Sequence, residues 1–178
     1  MPKRSYFMAV VATGLFAGGG TMVGLSFGIV FLGLGNLVPA MSGEQLVELF
    51  PKYWIAIACT IIPVALTKTI ALFTATFTSP KGNGVRQLWV WALCLWLMNC
   101  TITVGYHLQV VIASFQGKYS PEEMVGTIQM WIALHWVRVA LALASFVFAI
   151  MATLRAAIKN ITRQRRTEQL SIQQGTQL

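Results

Sequence analysis

Of 178 residues, 56% are hydrophobic and only 10% charged, and the mean hydropathy is +0.68. Soluble domains carry roughly a quarter charged residues, so most of this surface is built for lipid, and a soluble nucleic-acid reader, which needs a folded basic face, is excluded. The net charge of +8 gathers mainly at the two ends, where it suits contact with anionic lipid.

In chain order, Lys3 and Arg4 precede an apolar run from Tyr6 to about Val38. That run exceeds the roughly 7–15 residues of a signal-peptide core and predicts a first membrane span over 7–37. Gly14 and Gly18, then Gly20, Gly24 and Gly28, recur at four-residue intervals. Rows of small residues let a second backbone approach closely, so this helix is the expected surface for a neighbouring helix, a homo-oligomer or a membrane protein partner. Pro39 ends it. Ser42 and Gln45 have the form of a capping box opening a short amphipathic segment, Gly43 to Phe50. Leu46, Leu49 and Phe50 are expected on its membrane side, with Glu44 and Glu48 towards water. Pro51, Tyr53 and Trp54 then begin a second span, 53–77, in whose later part Lys68 is expected to snorkel to the nearer surface.

Ser79 to Gly84 is a turn by its chemistry. The third span, 87–115, begins Trp-rich and turns polar: Asn99, Thr103 and Tyr106 share a face, with His107 about 40° from Thr103 at its edge. Ser120 and Pro121 mark the start of the fourth span, 124–155. There Trp131, His135 and Arg138 fall on one face, being i, i+4 and i+7. The basic, polar tail, 159–178, is expected to be helical near the membrane and mobile beyond it. Its final Thr176-Gln177-Leu178 has the shape of a carboxylate-terminated peptide that adds to a sheet edge.

The fold expected is all-α: an integral membrane four-helix bundle, up-down-up-down, within residues 1–158, with the amphipathic segment at the interface between helices 1 and 2. Lys and Arg concentrate at both termini and in the 79–86 turn, which puts both termini in the cytoplasm. His107, His135 and Arg138 then converge on the outer half of the bundle. Cys59, Cys94 and Cys100 lack metal-site or disulfide spacing and read as packing residues. All five acids are Glu (44, 48, 122, 123 and 168), and none lies inside a span. No cofactor is expected. A metal at His107 and His135 would need a carboxylate folded over from an outer loop, and interhelical hydrogen bonding of the two imidazoles is the alternative.

Gly14-Leu15-Phe16-Ala17-Gly18, the Pro39 helix end, the polar part of the third span and Trp131-x-x-x-His135-x-x-Arg138 together resemble the anthrone-oxygenase-like family of small four-span membrane proteins. Where that family often has a Pro and an Asn, this chain has Tyr106-His107-Leu108-Gln109. The resemblance implies a four-helix membrane fold and, for some members, oxygenation of anthrones to anthraquinones. Three functions remain open. One is a non-catalytic complex subunit, assembly factor or scaffold. Another is a cofactor-poor membrane oxygenase for an apolar aromatic substrate. In that case His135 or His107 is the general base, Arg138 stabilises the developing anion, and Asn99, Thr103, Tyr106 and Trp131 hold the substrate. The third is a small oligomeric transporter or channel with Lys68, His107, His135 and Arg138 along its path.

Overall fold

Ser42 starts the first long helix with both halves of the expected capping box: its hydroxyl accepts from Gln45 N, and its own N–H donates to the Gln45 side chain at 3.0 Å. This helix, α1 (Gly43–Thr78), is followed by α2 (Val85–Ile102), a π-helical turn (Thr103–His107), α3 (Leu108–Phe115) and α4 (Pro121–Gly175). The computed structural model describes residues 7–8, 11–16, 18–20, 22, 24, 40–80, 82 and 84–175. The expected helix end at Pro39, Gly28 and the C-terminal Thr176-Gln177-Leu178 lie outside them. Among the described residues, three stretches are long and apolar enough to cross a membrane: Ile57–Thr78, Val85–Phe115 and Pro121–Ile172. This is the make-up of an integral membrane protein.

A second capping box opens α4. The Ser120 hydroxyl accepts from Glu123 N at 3.3 Å, while Glu123 accepts from Ser120 N at 2.9 Å, with Pro121 in the first helical position. The starts of α1 and α4 abut, since a β-carbon on Gly43 would collide with the Pro121 carbonyl. On α4 a row of buried residues runs Met124, Ile128, Trp131, His135, Arg138, Ala142, Ser145, Ala149, Ala152, with Val139 buried beside it. Spacings alternate between four and three, the narrow seam of a helix facing a close neighbour. That neighbour is chiefly α2, to which Ser145 Oγ donates at Ala92 O, 2.8 Å.

Three expectations change. The amphipathic segment is no separate element: α1 runs through Pro51 and Pro63, as membrane helices with tertiary support allow. Glu44 and Glu48 are exposed as read, and Lys52 hydrogen-bonded at 2.7 Å holds the Glu48 carboxyl below its ordinary range. Leu46 and Phe50, however, are buried among Met124, Ile128 and Trp131 rather than turned to lipid. The second change is Lys68, which is 1% exposed instead of snorkelling. The third is α4, which continues to Gly175. No Gly or Pro interrupts it between 127 and 174, so nothing in the sequence stops the helix where the polar tail begins.

In the N-terminal segment, Val11, Leu15 and Met22 are buried. Gly14 and Gly18 give close approach to α1, the α-carbon and β-carbon of Lys68 lying 3.4–3.6 Å from where a Gly18 β-carbon would stand. Gly19 faces Phe146 of α4, whose ring would be 2.6 Å from an added methyl, whereas Gly24 is open among the described residues. Gly14 and Gly18 of the row, and Gly19 beside it, therefore serve packing inside the chain.

Candidate functional site

The polar residues of the third and fourth apolar segments do meet. Asn99 (α2), His107 (π turn), and Trp131, His135 and Arg138 (α4) are each 5% exposed or less. Asn99 Nδ2 donates to the Arg138 backbone carbonyl at 2.7 Å, and Arg138 Nε donates back to Asn99 Oδ1 at 3.4 Å. Arg138 Nη1 lies 3.3 Å from His135 Nδ1, and a guanidinium can only donate. His135 Nδ1 therefore accepts, and any proton on a neutral ring sits at Nε2. The Trp131 indole lies flat on the His135 ring, 5.1 Å between centroids and 11° between planes. His107 closes the group, 4.7 Å from Trp131 and 5.9 Å from His135. Phe50 and Trp54 of α1 meet Trp131 edge-on at 5.8 and 6.4 Å.

The π turn is what brings His107 inward. Eight residues separate it from Asn99, or 2.2 turns of α-helix, which would leave the two about 80° apart. The Leu108 N–H instead reaches back five residues to Thr103 O. The extra residue taken into this turn rotates the downstream chain back by about 100°. His107 thus returns to the Asn99 face and is fully buried. Tyr106 is displaced to the edge, where its hydroxyl donates to Thr127 O at 3.4 Å. Thr103 is half-buried and donates to Asn99 O in its own helix, while Gln109 is exposed. The expected shared face of Asn99, Thr103 and Tyr106 is accordingly rearranged, with His107 replacing Tyr106 at its centre.

Comparison with family models, curated proteins and solved structures finds no match to this chain. Function is therefore read from the geometry of the cluster.

Both ring nitrogens of His107 and the Trp131 Nε1 are buried without a hydrogen-bond partner. The backbone of Ile102 and Trp131 approaches the His107 ring but not with hydrogen-bond geometry at either nitrogen. Glu44, Glu48, Glu122 and Glu123 are exposed rather than folded over the cluster. Among the described residues no three His, Cys, Asp or Glu gather as metal ligands. Trp131 packs against both histidines, and Phe50 and Trp54 pack in turn against Trp131. Two hollows lie elsewhere: one of about 10 Å³ at Val47, Ser114 and Met124, the other beside Lys159, Arg163 and Arg166.

A second buried group centres on Lys68. Its Nζ sits 4.3 Å from the Trp96 ring centroid and has no hydrogen-bond partner, while Trp96 Nε1 donates to Thr69 Oγ1 at 2.8 Å. Desolvated contacts of a cation with an indole face reach about 2 kcal/mol. The sequence signal for it is Gly18, which leaves room for α1 to present Lys68 inward. Cys59 and Cys94 are exposed and Cys100 half-buried, all as free thiols.

Proposed function

We propose that the protein is a non-catalytic integral membrane protein, a complex subunit, assembly factor or scaffold, whose buried polar cluster fixes how its helices register. The observation that carries this reading is Trp131 lying flat on His135 while Phe50 and Trp54 seal its edges. The surface a substrate would approach is occupied by the protein's own aromatic rings. The clasp of Asn99 and Arg138 binds side chain to backbone across two helices, as a registering device does. The finer topology belongs to the same proposal: four spans, up-down-up-down, the first formed by the Gly-rich segment, with both termini in the cytoplasm. Basic residues at 79–86 and after 155 support that orientation.

One observation favours a second reading, an oxygenase for an apolar aromatic such as an anthrone. His107 holds two unbonded nitrogens beside Trp131, and π turns gather at functional sites. The resemblance to the anthrone-oxygenase-like family supports it through sequence features alone.

The test is oxygen uptake by the purified protein with an anthrone, beside detergent unfolding of the wild type and of Asn99→Leu and His135→Phe. The scaffold reading expects no uptake and lowered stability in both variants. Uptake by the wild type, abolished in His135→Phe at unchanged stability, would overturn it in favour of the oxygenase.

A further inference from the structure

α4 carries two stripes at heptad spacing, on opposite faces. The covered one, from Met124 to Ala152, lines the bundle. Two residues further round lies the other: Ala140, Ala144, Val147, Met151, Leu154, Ile158, Ile161. From Val147 onward its members are 45–63% exposed. Inside the bilayer an exposed apolar stripe is ordinary. Arg155 marks the bundle's end, since its guanidinium lies 3.4 Å from where a β-carbon on Gly84 would stand, against the turn joining α1 and α2. Past that level the two stripes behave oppositely. The formerly covered one continues as Ala156, Lys159, Arg163 and Arg166, whereas the lipid-side one stays apolar at Ile158 and Ile161. Ile158 and Ile161 are 63% and 52% exposed, and large aliphatic residues exposed beyond the bundle's end call for a cover.

We propose that this second stripe is the interface between two copies of the chain, which pair their α4 helices as a parallel coiled coil continuing out of the membrane. Copies inserted the same way have parallel α4 helices, related by a two-fold axis along the membrane normal. Leu154 and Ile161 then occupy d positions and Ile158 an a position, all suited to a helix seam. Flanking e and g positions beyond Arg155 are Ala157, Thr162, Gln164 and Gln169, so no like charges face each other there. Lys159, Arg163 and Arg166 fall on the outer side. The next two seam positions are Arg165 and Glu168; each faces its own copy across the two-fold axis, and the diagonal Arg165–Glu168 contacts between copies offset that like-charge repulsion. Within the membrane the small Ala140 and Ala144 permit close approach. The seam is short, and tethering both copies in one bilayer raises their effective concentration.

Disulfide trapping in native membranes tests the proposal, in a background with Cys59, Cys94 and Cys100 replaced by Ala. Oxidation should shift Ile158→Cys and Ile161→Cys from the 19.6 kDa single chain to twice that mass, and leave Lys159→Cys and Arg163→Cys at the single-chain position. Arg165→Glu should weaken trapping at Ile161→Cys, and adding Glu168→Arg should restore it. Equal trapping at seam and outer positions, or none at either, overturns the proposal. So does a fluorophore at Ile158→Cys that reports lipid contact in phosphatidylserine vesicles at one chain per vesicle and is unchanged at higher chain density. That result would assign the stripe to the membrane surface instead.

Discussion

Asn99 uses both ends of its amide on Arg138, donating a hydrogen bond to the backbone carbonyl and accepting one from the guanidinium. Asn99→Leu would leave the buried guanidinium short of an acceptor, and a loss of about 1–2 kcal/mol is expected in the unfolding free energy measured in detergent. His107 is the contrasting case. With both nitrogens buried and unbonded, His107→Phe keeps a ring against Trp131 and removes the unsatisfied groups, so equal or greater stability is expected from the same measurement. A clear loss would reveal a hydrogen bond or ligand at His107. One half of this cluster is legible in the sequence, because i, i+4 and i+7 on a long apolar helix leave Trp131, His135 and Arg138 no choice of face. Burial of Lys68 is not legible, because snorkelling depends on an open route to the surface. Gly18, far away in sequence, brings another backbone against Lys68 and closes it.

At the scale of elements, the capped starts of α1 and α4 and the apolar stretches can be read from the sequence, since capping residues act locally, whereas the far end of α4 carries no such signal. The π turn cannot, because one inserted residue preserves composition and hydrophobicity and changes only the phase of the helix beyond it. Its testable consequence concerns Gly105, which is exposed with nothing within 4 Å of an added β-carbon. Deleting Gly105 should convert the turn to α-helix while both flanking faces stay inward, and the protein should still fold. Deleting Leu97, inside regular α2, should rotate the faces by about 100° against each other and abolish the folded monodisperse protein. Size-exclusion chromatography in detergent distinguishes the two, and equal tolerance would mean the turn does not set the register. Gly43→Ala belongs to the same scale. It thrusts a methyl into the Pro121 carbonyl, must separate the starts of α1 and α4, and is expected to cost about 1–3 kcal/mol.

For the molecule as a whole, the four-span proposal expects a maleimide that cannot cross membranes to label Glu44→Cys and Lys118→Cys from outside intact cells, and not Pro80→Cys, in a background lacking native cysteines. Labelling of Pro80→Cys alone would invert the orientation. Composition alone makes the membrane environment plain, since 10% charged residues cannot coat a soluble surface.

The unbroken course of α4 has a mechanical consequence. Its 55 residues span about 82 Å, against a hydrocarbon layer of about 30 Å. The same rod that holds Trp131, His135 and Arg138 near one end also carries the basic residues near the other, with no hinge between them. Pivoting it by about 5° at its N-terminal end would sweep the far tip through about 7 Å, given that length. A slight repacking around His135 is therefore amplified geometrically, and a spin label on the tail would register it by displacement.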